Sequence, residues 1–203
     1  MSTDLEQYLG IPENPMRSMF SGGGGGQRHA PPPPPAGARP ARPAPAQAPR
    51  PAPGGPPQRA PLTEEQQAAI AKYNEDVKNF RINIDMAKVA EAKKLFDDAG
   101  IGVHIVKFSP SRWSDEEIDY AFKVAKAMGA KGVCEEIGEE AVNKLGPIAE
   151  KHGMYAIFHN HMQFATEGFS YDPFLAVSPA VMMNFDAGHF FGSTGIHPNN
   201  IIE

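Results

Sequence analysis

The chain has 203 residues, with 24 acids against 19 Lys and Arg, so its net charge of −5 disfavours nucleic acid as a partner. Its single cysteine, Cys134, excludes an internal disulfide, and no stretch approaches the ~20 apolar residues of a membrane span. The N-terminal MSTDLEQYLG lacks the basic and apolar regions of a secretory signal, which makes a cytoplasmic location the expectation.

Thr3–Leu9 reads as a short helix stopped by Gly10 and Pro12, within an N-terminal segment 1–20. Residues 21–61 follow as a Pro/Gly-rich linker or insertion. Gly22–Gly26 is an unbroken run, and 14 of the chain's 21 prolines lie from Pro31 to Pro61. With so little apolar bulk, this segment cannot repay the entropy of ordering, and disorder with polyproline character is expected. It holds five arginines and no acid between Gln27 and Pro61. A soluble spacer is favoured over a polyanion-binding arm, and limited proteolysis should leave a product beginning near Leu62. Residues 62–203 remain for a folded domain. That suffices for a compact α/β unit but falls short of the roughly 250 residues of a complete eightfold barrel.

Thr63–Gln66 is a capping-box pattern opening a helix toward Phe80. Asp85 starts another, with Met86, Val89, Ala90, Leu95 and Phe96 on one face and Gly100 as its stop. A strand at 102–108 comes next, with His104 facing core or helices. Ser114 and Glu117 form a second capping box, and the helix carries Ile118, Ala121, Phe122, Ala125 and Met128 inward. A strand at 132–136 precedes a helix from Glu139 to His152, in which Gly146-Pro147 predicts a kink or two short helices. A strand at 154–159, a loop, a short helix from Asp172-Pro173 and a strand at 181–186 complete the pattern. The loop 187–197 follows, and Met182-Met183 reads as core filler. Alternation of near-continuous apolar strands with helices implies a parallel sheet covered on both faces.

In such sheets chemistry gathers at the carboxyl ends of the strands. Lys107, Glu135 or Glu136, His159 or His161, and Asp186 with His189 all sit at such ends. Asp186-Ala187-Gly188-His189 offers a carboxylate and an imidazole to a divalent cation, though Asp186 capping the next segment explains it equally. Period two puts His159 and His161 on one face, against the alternative of one His bonded to backbone and one exposed. Only one of Glu135 and Glu136 can face the site. Lys107 suits a phosphate, a carboxylate or an enolate, or simply snorkels from the sheet end. Arg81, Arg112 and Trp113 are further substrate candidates, while Cys134 reads as a small core residue.

Residues 80–108, 125–161 and 184–202 resemble the sugar phosphate isomerase/epimerase family of xylose isomerase-like TIM barrels, related in fold to metal-dependent apurinic endonucleases. The most specific matches are Glu136-Ile137, the HNH at 159–161 and the DAGHF at 186–190. Residues 1–15 also resemble the segment after that family's second strand, with the Pro-rich stretch as an insertion. The resemblance implies a partial (β/α)8 barrel of about four parallel strands with flanking helices. It implies a divalent metal (manganese, magnesium or zinc) held by Glu136, His159 and Asp186. Glu136 and His189 would act in catalysis, and Lys107 and His161 would bind substrate. The implied reaction is proton transfer next to a carbonyl of a sugar, sugar phosphate or cyclitol. The partner expected is a small-molecule carbohydrate, with a homo-oligomer open and no membrane or nucleic acid. Strands that carry a further metal-binding His and a Glu in the family are not seen here, so little or no isomerase activity is expected of this chain by itself. Two rival readings are a phosphodiesterase or endonuclease of the same fold, which the acidic core disfavours, and a non-catalytic half barrel serving as an assembly module.

Overall fold

The computed structural model describes residues 3–17 and 61–201. Apart from Pro61, the Pro/Gly-rich linker and its expected disorder lie outside the described residues. The chain divides into two compact units, Met1–Pro12 with Tyr73–Glu203, and Glu13–Lys72. In the smaller unit, Met16 N–H donates to Asn14 Oδ1 at 2.9 Å. Helix α2, Glu64–Ile82, begins there, and its residues from Tyr73 belong to the larger unit. Its start is a reciprocal cap, as TEEQ implies. Thr63 N–H donates to Gln66 Oε1 at 2.9 Å and Gln66 N–H to Thr63 Oγ1 at 3.2 Å.

The larger unit is built on four parallel strands in the order β1 (Ile105–Lys107), β2 (Gly132–Glu136), β3 (Tyr155–His159) and β4 (Val181–Asn184). Helices α1 (Thr3–Leu9), α3 (Met86–Asp98), α4 (Asp115–Ala127), α5 (Glu139–His152), α6 (Asp172–Leu175) and α7 (Ala187–Thr194) flank it. This is the α/β architecture implied by the alternating pattern. The order never reverses. Right-handed crossovers that always step the same way leave their helices on one face, as in a barrel wall and unlike a doubly wound sheet.

Register assigns the faces. Val106, Val133, Ala156 and Val181 form one lateral row, and Glu135, Phe158 and Met183 lie on that face too. The row joins Ile118, Phe122, Val142 and Leu145 of the helices in the core, which Leu5 and Leu9 of α1 also enter. The opposite face carries Lys107, Cys134, Ile157 and Met182 in one row and Glu136, His159 and Asn184 in the next.

Local sequence explains most helices. Ser114 and Glu117 cap α4, whose Ile118, Ala121, Phe122 and Ala125 are buried together with Met128. Several expectations need correction. In α3 the buried residues are Val89 and Ala92, with Phe96 packed against the core, while Met86, Ala90 and Leu95 are exposed. The stripe is rotated because the small Ala92 admits close packing and Leu95 lies off it. β1 is shorter than expected and His104 precedes it, exposed. α5 stays one helix through Pro147, which sits on its exposed side with Asn143 one turn earlier, so the carbonyl freed by Pro147 faces solvent. Met182, on the edge strand β4 and the face away from the helices, is exposed at 39%.

Arg81, expected in a loop, lies in the last turn of α2 and ties three helices. It donates to Glu6 Oε1 and Glu117 Oε1, both at 3.0 Å, and its guanidinium lies 3.4 Å from the Trp113 ring centroid. Both carboxylates and Arg81 are about nine-tenths buried, and Tyr120 Oη donates to Glu6 at 3.3 Å. Arg81 and Trp113 are thereby committed to structure. Removing Arg81 strands two buried carboxylates. Arg81→Ala is expected to cost on the order of 3 kcal/mol in urea unfolding, and a loss below about 1 kcal/mol would show the network to be incidental.

Candidate active site and metal centre

The site forms where β1, β2, β3 and β4 end. Lys107, Glu136 and His159 close their strands on the face away from the helices, and Asp186 stands two residues beyond β4. Register thus resolves the carboxylate choice. Glu136 pairs in register with His159 and faces the site. Glu135 turns to the helix side and is buried, accepting from Ser111 N–H at 2.8 Å and Ser111 Oγ–H at 2.7 Å. It anchors the loop after β1, where Ser109 adopts a left-handed φ of 54°.

Three imidazoles converge. The rings of His159 and His161 are 4.9 Å apart, those of His161 and His189 4.7 Å, and those of His159 and His189 5.5 Å. One nitrogen from each lies within 4.8 Å of the others. His161 Nε2 meets Glu136 Oε2 at 2.6 Å, and Lys107 Nζ pairs with Glu136 Oε1. Asp186 Oδ2 is 3.9 Å from His159 Nε2. Lys107, Glu136, His159, His161, Asp186 and His189 therefore lie within one cluster. Arg112 is exposed, and no contact of its side chain with that cluster occurs among the described residues.

The loop expected at 187–197 is instead mostly helix α7. Asp186 is its N-cap and accepts His189 N–H at 2.8 Å. The capping alternative for D-x-x-H is thus realised, and the cap itself turns the His189 ring toward the HNH pair. Sequence reasoning passed over Asn160. It is fully buried, accepts Asp186 N–H at 2.6 Å through Oδ1, and donates to Asp186 O at 3.2 Å through Nδ2. The available signal was its parity. Alternation points position 160 away from the two histidines and into the apolar interior, where an amide must find partners.

Two carboxylates are electrostatically tuned. Partial burial pushes Glu136 up, but hydrogen bonds from Lys107 and His161 outweigh it and hold the carboxyl below its usual range. Asp186 is lowered chiefly by the backbone hydrogen bond from His189, with His189 and His159 adding charge attraction. A depressed carboxyl contributes stability above its unfolded value, 4.5 for Glu136, that is lost as pH falls through the lower native value. The urea midpoint is expected to decline as pH drops from about 5 to about 3, with Glu136→Gln declining less; equal slopes would refute the pairing.

The donor set fits a metal. Three nitrogens around one tetrahedral ion with ~2.0–2.1 Å bonds lie roughly 3.3 Å apart, so a small closing of these side chains would complete the set. Imidazole suits zinc and its borderline neighbours better than magnesium.

No family model and no curated protein matches the chain. Among solved structures it is similar to a crystal structure of a sugar phosphate isomerase/epimerase from Parabacteroides distasonis. The TM-score is 0.45 with 18% identity, over 55% of this chain and 53% of that one. The chain spans about half the length of that protein.

Proposed function

We propose that the chain carries the metal-binding wall of an isomerase or epimerase acting on a sugar, sugar phosphate or cyclitol. The observation that supports it is the convergence of His159, His161 and His189 beside Glu136 and Lys107 at parallel strand ends. The three histidines would hold a divalent ion, zinc ahead of manganese or magnesium, and Asp186 would support His159 and His189. When bound, the ion polarises a substrate carbonyl. Glu136 takes the proton from the adjacent carbon. In the free chain it is held ionised by Lys107 and His161, and its low pKa makes it a weak base. An anionic substrate group draws Lys107 away, which raises the basicity of Glu136 as the substrate arrives. His161, bonded to Glu136, would orient that carboxylate toward the substrate.

A single base suffices to exchange one carbon-bound proton, whereas epimerisation needs a second group on the opposite face. Proton exchange of ketoses and ketose phosphates in heavy water with added zinc or manganese is therefore the test. Metal-dependent exchange that falls about 100-fold or more in Glu136→Gln supports the reading. Exchange unaffected by that change removes it. The three-imidazole set also suits activation of a metal-bound water, which keeps the phosphodiesterase reading alive. Hydrolysis of a simple phosphodiester without any ketose exchange would select that alternative.

A further inference from the structure

We propose that Asn160 is a positioning residue, a buried clamp that sets the distance between the histidine pair ending β3 and the Asp186–His189 turn after β4. The metal consequence rests on the reading given above; the clamp itself does not. β3 and β4 pair in register only as far as His159 and Asn184. Beyond that point the ladder stops, yet two of the three imidazoles, His161 and His189, lie past it. A free strand end would let them drift apart.

Asn160 replaces the missing ladder. Its side-chain amide mimics a peptide unit, accepting Asp186 N–H at 2.6 Å and donating to Asp186 O at 3.2 Å. Both groups of one residue are thus tied to one side chain, which fixes translation along the strand as well as separation. Nδ2 also reaches His161 O at 3.5 Å. Asn160 itself is fully buried, so its amide relies on Asp186 rather than on solvent for its partners. Asp186 then passes the constraint on, because its Oδ1 caps α7 at His189 N–H. The chain of contacts runs from the HNH backbone through Asn160 and Asp186 to the His189 ring. Asn160 stands between the two histidines because residues 159 and 161 point one way and 160 the other.

The test compares the full chain with Asn160→Ala, Asn160→Asp and the core control Val142→Ala, a buried site away from the clamp. In the metal-free chain, ring-to-ring nuclear Overhauser effects between His189 and both HNH histidines are expected in the wild type and lost in Asn160→Ala. Hydrogen exchange of the Asp186 amide should accelerate about tenfold or more, while amides of β1 and β2 stay protected. Asn160→Asp keeps the acceptor for Asp186 N–H and lacks the donor, so it should retain amide protection and part of the ring contacts. It carries the test where Asn160→Ala fails to fold. Zinc affinity, read by calorimetry, should fall about 10- to 100-fold in Asn160→Ala, less in Asn160→Asp, and not at all in Val142→Ala. Unchanged ring contacts and Asp186 exchange in both Asn160 variants overturn the clamp. Equal losses in Val142→Ala overturn it too, by showing general loosening. A wild-type chain that binds no zinc refutes the metal reading, and the clamp is then decided on ring contacts and amide exchange alone.

Discussion

Replacing His189 by alanine is expected to weaken zinc binding by more than about 100-fold while leaving the fold intact, since loss of a partner that merely orients a ligand already costs 10- to 100-fold. His189 is half-exposed on α7. Its backbone N–H still caps on Asp186 in the variant, so the helix start survives. His159→Ala and His161→Ala should weaken binding in the same range, and the pair His159→Ala with His189→Ala should lose less than the sum, because one defect already opens the site. Calorimetric titration with zinc, alongside circular dichroism to confirm folding, decides it. Wild-type affinity in His189→Ala would mean that the three rings gather without forming a site.

Gly132→Ala is expected to destabilise the chain by roughly 3 kcal/mol or more, at the severe end of overpacking. Gly132 begins β2 and pairs in register with Tyr155 of β3. A Cβ there would stand 2.1 Å from the Tyr155 carbonyl oxygen and 2.9 Å from Ile157 Cδ1. The nearest obstacle is backbone, which cannot swing aside as a side chain would, so the variant must open the β2–β3 ladder at its start. That ladder sets Glu136 opposite His159, and the damage should reach the site as well as the stability. Urea unfolding and zinc titration on the same variant check both. A loss under about 1 kcal/mol would show that the strand start can shift without cost.

Where pattern and physics act within one element, the sequence alone determined the outcome. The α4 stripe is legible because Ser114 and Glu117 mark its start and five apolar residues share one face. The β2 boundaries are legible because an apolar run there is flanked by a turn glycine and two acids. The four polar strand ends follow from the same alternation, since consecutive βα units aim their carboxyl ends one way. The α3 face was not legible: its apolar residues form two overlapping stripes, and only contact with α1 and α4 selects Val89 and Ala92.

Other features only the tertiary structure decided. Glu135 and Glu136 are chemically identical and adjacent, so their roles depend on which face of β2 meets helices, a matter of register with β1 and β3. Arg81 reads as a free loop cation until Glu6 arrives from 75 residues away to neutralise it. Asn160 reads as a spacer between histidines until Asp186, 26 residues on, supplies both partners for its amide. In each case the deciding partner is distant in sequence. Periodicity reports which way a side chain points, and only the folded chain brings the group that it meets.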